Sequence, residues 1–552
     1  MRLFRVEYGL LISSLIYLVS LLALPPQYLG DTAYYVSDIQ KYYETGNRIL
    51  LWEAGHLLWR PIGYVATLAN DIIIQRPFDP SNILTVLMVT NGAFGWLFVI
   101  CIYLTARTFT TQTYSSFVAI GAVTTNAFVN YVHSGCSYVP GLASLAVATY
   151  IAVATPKTYS IRNTLAFAFF LALSVSLWLP YILAFPALVV VFALRRAGQA
   201  SFISAVVYSS GFVVLLLIGL YFIAIRLAGL TDTREIAQWF QSSSHGITHE
   251  GGVHRAAFGL ARSFVYMGDD GNLFKRFLLR DPYNPVSVTE LMRVSLVKLM
   301  LLYAWIIASL YAVWQFSSVD VKVALALAFM SVLGFAIHWQ GGDMERYFPL
   351  FPLLALGVAT TLRQDGSLRR LINMVNLLFM MTLLVSNIVA RTLDETRTQQ
   401  RIQNRVQMVS SLVAAGDLHQ GDLLILATPQ DELFHSRSNF WNARLLQVRL
   451  SHPVWLGHKD APKWRYQVTK EIFSAWLKGS QVWVSKRLLA QKPDATWKWV
   501  EGDDPRVSWK DVHSFFTALE YGKAVGGHDG FRQLLRTPEN MRLLSRWVES
   551  MP

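Results

Sequence analysis

The chain has only two cysteines in 552 residues, and 15% of its positions are charged. Cys101 falls inside an apolar run and Cys136 near a short turn, so a disulfide-stapled secreted domain is excluded and the two are not expected to pair. There is no Gly-x-x-x-x-Gly-Lys-Ser/Thr loop, no Cys-x-x-Cys pair and no Gly-x-Ser-x-Gly elbow, which argues against ATP hydrolysis and thiol redox chemistry. The absence of any Asn-x-Ser/Thr sequon agrees with a bacterial envelope protein. Asp+Glu number 35 against 48 Lys+Arg, a net charge of +13, but the basic residues are scattered through loops and form no single patch. Nucleic acid is therefore not an expected partner.

Apolar residues dominate instead, at 53% of the chain with a mean hydropathy of +0.36. This is the composition of a polytopic membrane protein. Runs at 8–26, 83–106, 115–132, 137–155, 163–179, 181–194, 202–226, 292–316, 320–338, 347–362 and 371–390 each approach the length that crosses a bilayer, giving about eleven transmembrane helices. Leu24-Pro25-Pro26 is no small-residue cleavage site, so the first run reads as a membrane helix and not a secretory signal.

Arg2 and Arg5 hold the N-terminus in the cytoplasm, and alternation then places Arg107, Lys157, Arg162, Arg195, Arg196, Lys322, Arg363, Arg369 and Arg370 on the same side. An odd number of spans puts residues 392–552 outside. Merging 163–179 and 181–194, separated only by Pro180, into one kinked element would move them inside. The expected organisation is a transmembrane domain over 1–391, with external loops 27–82 and 227–291, followed by a soluble α/β or α+β domain over 392–552. In the soluble domain Asp422–Ala427, Gln481–Ser485 and Leu446–Leu450 read as strands, and Lys470–Lys478 and Trp509–Leu519 as helices.

The chemistry-bearing residues gather on the outer face. Asp31 follows the first span in Gly30-Asp31-Thr32-Ala33-Tyr34-Tyr35, and helical spacing places Asp31, Tyr34, Tyr35 and Asp38 along one face. A carboxylate with phenol neighbours can activate a hydroxyl nucleophile. The competing reading is an N-cap, since Asp is favoured there. His56 and Arg60 lie in Gly55-His56-Leu57-Leu58-Trp59-Arg60-Pro61, and Arg346 in Asp343-Met344-Glu345-Arg346-Tyr347-Phe348-Pro349. His56 can contact donor or acceptor or can simply be a packed interfacial histidine. Arg346 can clamp a phosphate with fixed donor geometry or can snorkel to headgroups, and Tyr347 can belong to an aromatic belt.

In this order and sidedness the residues resemble the GT-C superfamily of integral-membrane glycosyltransferases. Within it the resemblance is to the polyprenyl-phosphate-sugar enzymes related to protein mannosyltransferases and lipid A aminoarabinose transferases. It rests on Gly30-Asp31 after the first span, the His56–Pro61 stretch, the Arg346-Tyr347 and Pro349/Pro352 cluster, and a soluble domain after the last span. It implies that Asp31 is catalytic and that Arg346 and then Arg60 bind the carrier phosphate. Lys275, Arg276 and Arg280 are further phosphate contacts or plain membrane-surface charges. The chain departs from the pattern at Thr32, where many members carry a second acid, and this weakens any claim of a divalent metal cofactor.

His245, His249, Glu250 and His254 form a weak metal candidate, because Gly246, Gly251 and Gly252 oppose a helix there. No metal is assigned, and a loop closing over substrate is preferred. A polyprenyl phosphate leaves as a stable anion, so one base plus cations suffices where a glycosidase needs two carboxylates, and inversion is expected. The reading is thus a transferase moving a sugar from a polyprenyl-phosphate donor to a lipid, glycan or protein acceptor at the outer face of a bacterial inner membrane. The alternatives are a transporter or flippase of lipid-linked substrates, or a membrane-anchored envelope scaffold.

Overall fold

A computed structural model of the protein describes residues 7–24, 31–154, 160–195, 199–242, 251–268, 272–278, 285–362, 367–419, 421–426, 464–492, 509–527 and 529–549. They form two compact units, the first taking the described residues of 1–245, 249–267 and 294–393, the second those of 246–248, 268–293 and 394–552.

The first unit is helical. It opens with α1 (Tyr8–Ala23), α2 (Thr32–Thr45), α3 (Trp59–Ile74), α4 (Pro80–Arg107), α5 (Gln112–Val123), α6 (Asn126–Val132), α7 (Tyr138–Ala154), α8 (Ile161–Leu177), α9 (Phe185–Leu194) and α10 (Gln199–Ala228). The chain continues through α11 (Thr233–Ser242), α12 (Val253–Phe264), α13 (Asn272–Leu278), α14 (Val288–Leu291), α15 (Val297–Phe316), α16 (Val319–His338), α17 (Phe351–Thr361), α18 (Ser367–Leu383) and α19 (Arg391–Ala414). Of these, α13 and α14 belong to the second unit, and α19 passes from the first into the second at Leu393.

Among the described residues five stretches are long and apolar enough to cross a membrane: Pro80–Arg107, Phe202–Ala228, Val288–Phe316, Val319–His338 and Leu368–Ala414. The other six expected spans are shorter or broken helices, for local reasons. The run 115–132 divides into α5 and α6 at Thr124-Thr125, where the Thr124 hydroxyl turns back on Ile120 O at 2.8 Å. The runs 163–179 and 181–194 are separate elements: α8 stops at Trp178, which is extended, and a 3₁₀ turn carrying Pro180 leads into α9. The run 347–362 is a 3₁₀ turn, Met344–Leu350, followed by the short α17.

Helix ends follow the sequence. Asp79 caps α4 through Asn82 N at 2.8 Å with Pro80 in the first turn, and α2 ends on left-handed Gly46, whose N–H returns to Tyr42 O. Gly141 on α7 has no side chain where the buried Tyr181 ring crosses it, and Tyr181 Oη donates to Tyr138 O at 2.6 Å. This close approach sets the height of Tyr138.

The second unit carries a four-stranded sheet of β1 (Leu423–Ile425), β2 (Val482–Ser485), β3 (Tyr521–Val525) and β4 (Phe531–Leu534), in the order β1-β2-β4-β3. β1 and β2 are parallel and the other two pairings antiparallel. Strand alternation divides the core: Leu423, Ile425, Val482 and Val484 face Trp464, Ile472, Trp509 and Phe516, while Leu424, Leu426 and Trp483 face Val409 on α19. The helices Trp464–Leu477 and Trp509–Thr517 overlap the expected ones, β3 and β4 were not anticipated, and Leu446–Leu450 lies outside the described residues.

A Cβ at Gly141 would meet the Tyr181 ring and approach Ser174 O. Gly141→Ala is therefore expected to lower stability by about 1–3 kcal/mol, read as a reduced melting temperature in detergent. Gly219→Ala, which enters open space, should leave the melting temperature unchanged or raise it.

Candidate active site

Asp31 occupies the N-cap position of α2, but its side chain makes no capping hydrogen bond. Its backbone carbonyl accepts from Tyr35 N at 3.0 Å. The carboxylate turns instead to α7, where Oδ2 accepts from Tyr138 Oη at 2.8 Å, and it also lies 3.4 Å from Tyr35 Oη. Burial first, then Asp31 and Glu53, raise the Tyr35 phenol well above its ordinary range, so it stays a donor. His56 closes the third side, with Nε2 at 3.6 Å from Oδ2. The Asp31 side chain keeps 19% exposure while His56 keeps 7%, so the carboxylate is the member of the group open to an incoming molecule.

His56 is fixed from behind. Its Nδ1 lies 2.6 Å from Ser137 Oγ and 3.3 Å from Leu177 O, and its ring meets Tyr35 edge-on with centroids 5.5 Å apart. A histidine held at Nδ1 presents Nε2 to the carboxylate. The turn that supplies Ser137 is tied to α2 by Thr32, whose hydroxyl accepts from Gly135 N at 3.1 Å and lies 3.3 Å from Cys136 Sγ. Trp59 Nε1 donates to Gly135 O at 2.8 Å. Thr32 thus serves a structural purpose where the GT-C pattern often has an acid. One carboxylate, one imidazole and two phenols do not fit a hard divalent cation, which takes several carboxylate oxygens. Among the described residues no three His, Cys, Asp or Glu side chains converge on a metal position.

The remaining expected residues separate. Tyr34 is half-buried on α2. Asp38 faces Arg60, not Asp31: Arg60 Nη2 lies 3.1 Å from Asp38 Oδ2 and 2.8 Å from Glu53 Oε2, and Nη1 donates to Leu50 O at 3.1 Å. Its guanidinium lies over Tyr35, 5.6 Å from the ring centre. Arg276 sits on α13 in the second unit, and His254 is exposed at the start of α12. The side chain of Lys275, and Arg280, His245 and His249 altogether, lie outside the described residues.

Arg346 does come to the site. It lies on the 3₁₀ turn after α16, its guanidinium 5.7 Å from the Trp178 ring centre, and it donates to Gln340 Oε1. Among the described residues Gln340 is one of two non-glycine residues with positive φ, at 47°, a conformation that costs energy and often marks a functional turn. Burial works against the charge on Arg346, but Glu345, Asp343, Tyr138 and Asp31 outweigh it and hold the guanidinium above its ordinary range. Arg346 is therefore within electrostatic reach of Tyr138 and Asp31. Tyr347 is fully buried and bonds Ala256 O and Gly341 O, so it is no belt residue.

Four residues were not singled out from the sequence. Tyr138 and Tyr131 sit in what read as apolar spans. Glu345 Oε2 accepts from Tyr131 Oη at 2.6 Å. Arg391, at the start of α19, is buried against Asn126 Oδ1 at 3.1 Å and Asn130 Oδ1, with Tyr266 beneath it. A cavity of about 440 Å³ opens between α5, α15, α17 and α18, lined by Phe117, Gly121, Trp305, Leu354, Val358 and Met380 among others. Thr125 and Phe264 also line it, and Thr125 is the neighbour of Asn126.

The fold carrying this arrangement is shared with known enzymes. ArnT from Cupriavidus metallidurans, an aminoarabinose transferase solved with undecaprenyl phosphate, is similar at a TM-score of 0.51 and 9% identity, over 96% of this chain and 98% of that chain. The same protein in the apo state gives 0.52 and 11%, over 96% and 97%. The Archaeoglobus fulgidus oligosaccharyltransferase tethered with an acceptor peptide gives 0.48 and 11%, over 97% of this chain and 74% of that one. No protein-family model and no curated protein matches the sequence. The chain therefore shares the fold of ArnT.

Arg60 is 7% and Glu53 5% exposed, so removing the guanidinium strands a buried carboxylate. Arg60→Ala should destabilise the protein by about 3–5 kcal/mol, seen as a lowered melting temperature. An unchanged melting temperature with weakened binding of a phosphate-bearing lipid would instead make Arg60 a phosphate contact.

Proposed function

We propose that the protein is a membrane glycosyltransferase that transfers a sugar from a polyprenyl-phosphate donor to a lipid, glycan or protein acceptor, with Asp31 as the single base. The observation carrying this reading is the Asp31 carboxylate itself. It starts a helix without capping it, is oriented by Tyr138, Tyr35 and His56, and lies within the electrostatic reach of Arg346. The GT-C fold supports the class of reaction, and the apolar cavity supports a donor with a long hydrocarbon tail.

In this mechanism the acceptor O–H or N–H approaches Asp31, which takes its proton as the acceptor attacks the anomeric carbon. The bond from that carbon to the phosphate oxygen breaks on the opposite face, and the polyprenyl phosphate departs as an anion toward Arg346. Tyr138 and His56 fix the direction of the carboxylate, so little reorganisation is needed during the step. The reaction takes place at the outer face of a bacterial inner membrane, and the C-terminal domain over 392–552 is extracytoplasmic.

Two experiments test the reading. Asp31→Asn keeps the shape of the side chain but removes the base. It should lower sugar transfer from a polyprenyl-phosphate donor by about 10²–10⁴-fold without changing the melting temperature, while the wild-type product carries inverted anomeric configuration. Full activity in Asp31→Asn, or retention of configuration, contradicts the mechanism. A Cβ at Gly121 meets nothing within 4 Å on the cavity wall, so Gly121→Trp fills the cavity in a folded protein. The donor KM should rise at least about tenfold, equivalent to roughly 1.4 kcal/mol, with kcat preserved, and an unchanged KM would place the lipid tail elsewhere.

A further inference from the structure

Glu345 has no part in the mechanism above, yet it stands between two groups that do. Its Oε2 accepts from Tyr131 Oη at 2.6 Å, and the Tyr131 ring meets the Tyr138 ring edge-on, with centroids 4.8 Å apart. Tyr138 in turn donates to Asp31. On its other side Glu345 is chain neighbour and electrostatic partner of Arg346. It is 7% exposed, so its charge is little screened by water, and it bears on the same guanidinium that a donor phosphate would use.

Glu345 precedes the expected span 347–362 and lies in none of the five long apolar stretches. Burial, and after it Asp343, push its carboxyl up to about 7, while Arg346 and the Tyr131 hydrogen bond pull it down. The groups facing it are few. Tyr131 comes from α6 and Tyr138 from α7, and Asp343 and Arg346 flank it on its own turn. Asp31 lies beyond Tyr138. Arg262 on α12 bonds Gly342 O, Arg391 lies behind Asn130, and His338 ends α16. Phenols and guanidinium groups ordinarily titrate far above neutrality.

We propose that Glu345 is a positioning residue that couples donor binding to proton uptake. Ionised, its charge offsets that of Arg346 through space and disfavours a phosphate arriving there, and protonated, it no longer does so. The inference rests on the function proposed above, since it needs a phosphate at Arg346. The step is a protonation only: one proton from solvent joins a carboxylate oxygen as the lipid phosphate binds, and no other bond changes. The sign follows from linkage. An anion arriving beside Glu345 destabilises its ionised form, so affinity is full while Glu345 is protonated and falls as pH rises through its titration.

The test uses the full chain in detergent with undecaprenyl phosphate as the probe, measuring Kd from pH 5.5 to 8.5, about 1.5 units either side of the neutral range expected for this carboxyl. The reading is the ratio of wild-type Kd to that of Glu345→Gln, which cancels titration of the phosphate itself. The ratio should be flat below about pH 7 and rise by up to about tenfold per pH unit above it. Tyr131→Phe removes a donor to the ionised carboxylate, so its break should move to higher pH. A ratio that stays constant across the range overturns the proposal. So does a Tyr131→Phe break that stays put or moves lower. Binding with a constant ratio leaves the proposed function standing, whereas no binding by any form at any pH removes that function and the coupling with it.

Discussion

The hydrogen bond from Tyr138 to Asp31 is what the site depends on. An aspartate at the start of a helix ordinarily bends back to a first-turn N–H, for about 1 kcal/mol. Here the phenol on α7, 107 residues away in sequence, draws the carboxylate outward and leaves it part-exposed. Tyr138 is in turn held at its backbone by Tyr181, which fits only because position 141 lacks a side chain. Packing between α7 and the 3₁₀ turn Leu179–Ala184 therefore sets the geometry of a carboxylate on α2.

Charge is distributed around that carboxylate with a clear division. Arg60 is neutralised by Asp38 and Glu53, and its value is to fasten α2 to the segment leading into α3. Arg346 is different, because its hydrogen-bond partner is the neutral amide of Gln340 on a left-handed residue, while its carboxylate neighbours act through space. A cation arranged this way keeps donor capacity for an incoming anion. Arg391, further along toward the cavity, is held by two asparagine oxygens.

The hydrophobic runs made the membrane class readable, and the polar residues that interrupt or follow them led to Asp31, His56 and Arg346. Asp31, Tyr35 and His56 do converge in the structure. What pattern alone does not convey is long-range pairing. Tyr138 and Tyr131 read as unremarkable aromatics in apolar runs, because nothing local says that a phenol in such a run will meet a carboxylate over 100 residues away. Helical spacing grouped Asp38 with Asp31, but Arg60 offers it a stronger partner. Period-based reading also treats each apolar run as one straight helix, whereas Thr124-Thr125, Pro180 and Pro349 divide theirs into short helices and 3₁₀ turns. Two of those breaks shape the site, since Trp178 lies beside Pro180 and Arg346 beside Pro349.

A structure of the full chain with bound undecaprenyl phosphate measures the central claim directly, because it locates the phosphate relative to Arg346 and Asp31. The account predicts the phosphate in contact with Arg346, the tail in the cavity between α5, α17 and α18, and the Asp31 carboxylate still on Tyr138 and open to an acceptor. A phosphate bound away from both Arg346 and Asp31, or an Asp31 side chain turned back to cap α2, would contradict it.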